Sequence, residues 1–183
     1  MPLGEPTSTQ RVERLAALYN TVPNLLWTIL NLAPVAYFYY LQVPIAWLLL
    51  IVPLSCAPYF FPPAFIDRFT LGKSRDWYQR WGVGVIQEYV QHGGAVNRLI
   101  RRRFPAYRIV YDRATVLRQL AATYMFERFH IGMLWALLVV TGYALGTGYF
   151  WWALVITVNN FIYNLYPILL QQYVRLRLKN LLL

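Results

Sequence analysis

Between Arg14 and Asp67, and again between Arg128 and Arg175, the chain has no charged side chain. Each gap is about twice the roughly 20 apolar residues that a helix needs to cross a bilayer. Such stretches exclude a water-facing surface over both gaps and leave room for two helical hairpins. Cysteine is nearly absent. Cys56 alone excludes an intrachain disulfide and a cysteine-rich metal site. Histidine occurs only at positions 92 and 130. With no carboxylate inside either gap, a di-metal bundle site is excluded, and no metal or other cofactor is expected. There is no phosphate-cradling glycine loop, nucleophile elbow or zinc motif. Residues 1–20 carry two acids and two arginines and predict no cleaved leader.

What is present is apolar and basic. Hydrophobic residues make up 58% of the 183 residues and charged ones 13%, against roughly 45–50% and about 25% in soluble domains. The formal net charge is +10. Its basic residues flank the apolar blocks, where they face anionic lipid, so nucleic acid is not an expected partner. The three charged stretches fall on one face of the membrane, in the positive-inside pattern. The expectation is a single all-α integral membrane domain over 1–183, with spans near 24–41, 44–61, 129–145 and 152–173. Both termini and a helical insert over 64–127 lie on the cytoplasmic side of the cell's inner (plasma) membrane.

Local signals fill in that frame. Arg11 to Tyr19 reads as a short interfacial helix with Val12, Leu15, Ala16 and Tyr19 on one face. Gln42, Val43 and Pro44 mark the first turn, because proline suits the first turn of a new helix. Pro34, Pro53 and Pro58 should kink the first two spans. In the insert, Trp77, Trp81, Val85 and Tyr89 recur at spacings of four, which predicts one amphipathic helix from Arg75 to Gln91. A second helix follows from Ala95 to Phe104, then a short β-prone run from Tyr107 to Tyr111. A third starts near Arg113 with Asp112 as N-cap. Gly146 and Gly148 mark the far turn, and Tyr149 to Trp152 form an aromatic belt.

Several residues can carry chemistry. Asn160, Asn164, Pro167 and Gln171 share a helix face in the fourth span, with Asn159 and Gln172 adjacent. Asn24, Thr28 and Asn31 form a similar stripe in the first. Amides in hydrocarbon need partners, so both stripes face the bundle interior, either as interhelical hydrogen bonds or as a slot for a lipid head group. Glu127 and His130 lie three residues apart at the mouth of the third span, where a carboxylate can orient an imidazole for acid–base work or both can serve as interfacial anchors. His92 with Gly93 and Gly94 is either a helix stop or a glycine-rich approach for a head group, with Asn97 and Arg98 just beyond. Arg98, Arg101, Arg102 and Arg103 can contact lipid phosphates, at about 1 kcal/mol each near the surface, or the phosphates of an activated donor such as acyl-CoA.

The stretch NLYPILLQQYVRLRL, from Asn164 to Leu178, resembles the closing motif of the glycosyl-4,4'-diaponeurosporenoate acyltransferase family. Asn164, Pro167, Ile168, Gln171, Tyr173, Arg175, Arg177 and Leu178 match it. Gln172 stands where that family usually has arginine, and Val174 where it has asparagine. Glu127 and His130 resemble the family's acid-and-histidine step, and WYQRWGV from Trp77 resembles its aromatic–basic centre. The resemblance covers about the last two-thirds of the chain. It implies acyl transfer onto a sugar hydroxyl of a glycosylated carotenoid or similar lipid. On this basis His130 would take the hydroxyl proton, Glu127 would orient the ring, and Asn164 or Gln171 would stabilise the oxyanion. Tyr173, Arg175 and Arg177 would bind substrate with Asn160 and the basic insert. A different class stays open. The aromatic spans and His130 also suit a non-catalytic, pigment- or carotenoid-binding subunit of a larger membrane complex.

Overall fold

The computed structural model describes residues 8–90, 93–108 and 112–182, and these are all-α, with no strand among them. Helix α1 (Ser8–Gln42) runs for 35 residues. A turn leads into α2 (Leu48–Cys56), which tightens to a 3-10 helix at each end, Ile45–Trp47 and Ala57–Phe60. The central insert holds four short helices: α3 (Pro63–Arg68), α4 (Arg75–Arg80), α5 (Val83–Tyr89) and α6 (Gly94–Arg103). Helix α7 (Arg113–Gly146) then runs for 34 residues. Helix α8 (Phe150–Asn160) passes through a π-helical turn, Phe161–Leu165, into α9 (Tyr166–Lys179).

Among the described residues, two helical segments are long and apolar enough to cross a bilayer: Arg113–Gly146 and Phe150–Lys179. The first charge-free stretch is less apolar than its lack of charge suggests. Helix α1 has the length, but Asn20, Asn24, Asn31, Pro23 and Pro34 dilute it. The Ile45–Phe60 segment is apolar but short. The interfacial helix expected over Arg11 to Tyr19 is not separate either. It continues unbroken into α1, because Pro23 and Pro34 are both absorbed within the helix.

Local punctuation behaves as its chemistry dictates. Helix α1 ends at Gln42, and Pro44 caps the tightened turn that follows. Two tyrosines hold that turn: Tyr143 donates to the Gln42 carbonyl at 2.7 Å and Tyr149 to its Oε1 at 2.5 Å. Asp112 caps α7, accepting from the Thr115 amide at 2.7 Å and its hydroxyl at 2.6 Å. The single helix expected over Arg75 to Gln91 is instead broken in two. Gly82 adopts φ +73° between α4 and α5, a left-handed conformation that glycine takes at little cost. The break resets the helical phase. Tyr78 and Val83 are buried, while Trp81, Val85 and Tyr89 are 50%, 67% and 62% exposed.

Two apolar clusters hold the fold. One joins Val35 and Phe38 of α1, Leu137 and Val140 of α7, and Ala153 and Ile156 of α8. Phe38 sits 5.3 Å from the Trp152 ring and edge-on to Tyr149 at 5.7 Å. The other joins Tyr78 and Val83 of the insert to Leu169, Leu170 and Tyr173 of α9. Between them α2 crosses α7 at Gly132, where a Cβ would collide with the Ser55 carbonyl.

Candidate functional site: a charged lock beside a neutral relay

Polar residues of α7 meet those of α3, α8, the π turn and α9 in two groups. The first is ionic. Glu127 is fully buried on α7, and Arg175 of α9 is 3% exposed. The Arg175 Nη1 donates to Glu127 Oε2, and its Nε lies 3.3 Å from Asp67 Oδ1 at the end of α3. The guanidinium stacks 4.4 Å above the Tyr124 ring. Tyr124 and Lys179 each donate to Asp67 Oδ2 at 2.9 Å. Gln172 completes the group with a fully used amide. Its Nε2 donates to Glu127 Oε1 at 2.7 Å and to the Phe69 carbonyl at 3.3 Å. Its Oε1 accepts from the Leu71 amide at 3.0 Å and the Tyr78 hydroxyl at 3.1 Å. One side chain thereby ties the loop after α3 to α7 and α9.

The charges follow the geometry. Burial pushes the Asp67 carboxyl upward. The hydrogen bonds from Lys179 and Tyr124 and the cationic charge of Lys179 and Arg175 outweigh it, so Asp67 titrates below the ordinary aspartate range. Burial raises the Tyr78 phenol above its ordinary value despite its bond to Gly72, which keeps it a neutral donor.

The second group is uncharged. His130 lies three residues past Glu127, and its Nδ1 is 3.3 Å from Asn164 Oδ1. Asn164 Nδ2 donates to Asn160 Oδ1 at 2.8 Å, and Asn160 Nδ2 donates to the Leu134 carbonyl at 3.0 Å. Since both amides use their NH₂ groups as donors, Asn164 Oδ1 is an acceptor and His130 donates from Nδ1. A neutral imidazole in that tautomer carries its lone pair on Nε2. Proline at 167 has no N–H and leaves the Tyr163 carbonyl without its regular helical donor. The same proline follows the π turn, Phe161–Leu165, a helix form often found at functional sites.

These groups redistribute the residues singled out above. Glu127 does not orient His130, since Gln172 and Arg175 take its two oxygens. Asn164 is the side chain bonded to the ring. Asn160 and Asn164 are buried. Gln171 is half-buried beside the buried Gln172. The π turn shifts the helical phase, so the inward row runs Asn160, Asn164, Ile168, Gln172 rather than through Pro167 and Gln171. The two polar stripes do meet: Asn159 Nδ2 is 3.4 Å from the Asn31 carbonyl, and Thr28 Oγ1 is 3.4 Å from the Tyr163 hydroxyl. Tyr173 is buried against Tyr78 at 5.9 Å. Arg98 is paired with Glu88. Arg102 is exposed and Asn97 half-buried on α6. Arg101 and Arg177 open onto a cleft shared with Arg75 and Arg108. His92 lies outside the described residues. Asp67, Tyr78, Tyr124, Gln172 and Lys179 escaped the sequence reading as site residues. Asp67 had one available signal, as the acid that closes the first charge-free gap.

Residues 62–183 match the model of the glycosyl-4,4'-diaponeurosporenoate acyltransferase family, CrtO. The chain belongs to this family. No curated protein and no solved structure matches it. The family match contains both polar groups whole, from Asp67 to Lys179, and begins just after α2. The match thus spans the insert, the lock and the relay of this chain, whereas α1 and α2 lie before it. Membership makes the chain acyltransferase-like and implies a lipid-like carotenoid substrate.

Proposed function

We propose that the chain is a four-span membrane acyltransferase with both termini on the cytoplasmic side. The spans are α1, the Ile45–Phe60 segment, the C-terminal part of α7, and α8 through α9. It transfers an acyl group to a sugar hydroxyl of a glycosylated carotenoid or a similar lipid. The observation that carries this reading is the His130–Asn164–Asn160 relay, inside the family-matched region and beside a buried ion pair.

In this scheme Asn164 and Asn160 fix the ring so that His130 Nε2 accepts the proton of the acceptor hydroxyl. The oxygen attacks the carbonyl carbon of an acyl thioester. The C–S bond then breaks, and the leaving thiolate takes the proton back from the imidazolium. Gln171 makes no hydrogen bond among the described residues, so its amide is available to the developing oxyanion. Glu127 and Arg175 act as a fastening that keeps α7 and α9 in register. The apolar helices accommodate the polyene and acyl tails.

The test is transfer of a labelled acyl group to glycosylated carotenoid by the full chain in membranes. His130→Ala should lower the rate by roughly 10²–10⁴-fold, the usual contribution of a general base, in protein that is still expressed and folded. An unchanged rate would remove His130 from the mechanism. Absence of product with the unaltered protein and both substrates would favour the non-catalytic, pigment-binding reading.

A further inference from the structure

On the face of α9 opposite Gln172, Arg175 and Lys179 lies an open cleft of about 780 Å³. That size lies within the range of small-molecule sites. Four arginines from separate parts of the chain line it: Arg75 at the start of α4, Arg101 in the last turn of α6, Arg108 beyond α6, and Arg177 on α9. No aspartate or glutamate is among the lining residues. Arg75, Arg101 and Arg177 pair with no carboxylate among the described residues. Two of the guanidinium groups are held in place by neutral partners. Arg101 Nε donates to the Tyr107 carbonyl at 3.3 Å, and Arg177 lies over the Tyr173 ring at 5.7 Å. The C-terminal helix side adds apolar lining from Val174, Leu178 and Leu181 beside Asn180.

Like charges gathered around one concavity repel each other and concentrate counter-anions there. Guanidinium groups match phosphate oxygens in paired hydrogen bonds. The contrast with Arg98 is informative. It belongs to the same basic run, yet Glu88 neutralises it, and it does not line the cleft. The geometry points to a binding site for a phosphate-bearing ligand, with its phosphates on Arg75, Arg101 and Arg177 and its apolar part on the C-terminal helix side. Two sources share that chemistry: the nucleotide portion of a soluble thioester donor, or the head group of an anionic phospholipid. Only the ligand's use, not its binding, rests on the acyl-transfer reading above.

The experiment uses the full chain in phosphatidylcholine nanodiscs. One arm titrates coenzyme A by calorimetry. The other exchanges phosphatidylglycerol into the discs and counts the molecules retained by native mass spectrometry. Saturable binding of coenzyme A identifies a soluble donor, and selective retention of phosphatidylglycerol identifies a lipid head group. In either case the Arg101→Ala/Arg177→Ala double variant should weaken binding by roughly tenfold or more, as loss of charge-assisted hydrogen bonds predicts. Arg75→Ala, at an exposed helix start, should weaken it without touching α9. Binding should also fall as salt is raised. Failure of both probes to bind, or undiminished binding in both variants at native melting temperature, would overturn the site. His130→Ala should leave binding intact. If ligand binds through the arginines but no acyl transfer occurs in any chain, the site stands and the enzymatic reading falls.

Discussion

Glu127 and His130 lie one helical turn apart on α7, yet they sit in opposite kinds of environment. Glu127 belongs to a set of charged groups paired with one another, with Arg175, Asp67 and Lys179. His130 belongs to a row of neutral amides that ends on a backbone carbonyl. The first has strong partners and no spare capacity on Glu127 or Gln172, which suits fastening. The second leaves a ring nitrogen with a lone pair, which suits proton transfer. Closeness in sequence therefore says little about shared chemistry. What separates the two is the segment each one meets: α9 for Glu127, the π turn and the end of α8 for His130.

The sharpest way to test that division is to remove its charged anchor. Glu127→Ala leaves Arg175 buried without its main counter-charge, and breaking such a pair costs about 3–5 kcal/mol. The folded yield and melting temperature in detergent should collapse, whereas His130→Ala, which leaves only the Asn164 carbonyl oxygen without its partner, should cost about 1–3 kcal/mol and stay folded. Equal melting of the two variants would erase the distinction. A smaller loss is expected at Gln172. Gln172→Leu strips partners from Glu127 and from the Leu71 amide, at about 1–3 kcal/mol for buried polar groups left unpaired. It should also loosen the loop after α3, read as faster amide exchange around Leu71. Unchanged exchange there would mean the loop is held by other contacts.

The smallest effect is electrostatic. Asp67 is 35% exposed, so solvent screens its contribution. Its folded value lies below the ordinary one, so its stabilisation is complete above the unfolded aspartate range, near pH 4. It is lost as pH falls through the folded value. The melting difference between the unaltered protein and Asp67→Asn should therefore close on acidification. A gap that stays constant with pH would show that Asp67 acts by shape alone.

Much of the frame was legible because its signals are local. The turn at Gln42 to Pro44, the Asp112 cap, the helix from Gly94 and the glycines after α7 each declare themselves within a few residues. The lock was not legible, because Glu127 and Arg175 are 48 positions apart in the chain and no periodicity links them. The choice between Gln171 and Gln172 was missed for a different reason. A regular helical period places Gln171 inward, but the π turn ahead of Pro167 adds a residue and hands that place to its neighbour. Gly82 misled in the same way. A regular helix through it puts Trp81, Val85 and Tyr89 on one apolar face with Trp77, whereas its left-handed conformation ends the helix and leaves them exposed.

Gly132 ties the part of the chain before residue 62 to the part shared with the family. The α2 backbone at Ser55 fits where any larger residue on α7 would stand. Helix α2 is thus keyed into a notch five residues beyond Glu127 and two beyond His130. A replacement leading segment grafted onto residues 62–183 would have to offer its own bare stretch of main chain to that notch, or pry open the helix on which both polar groups are built.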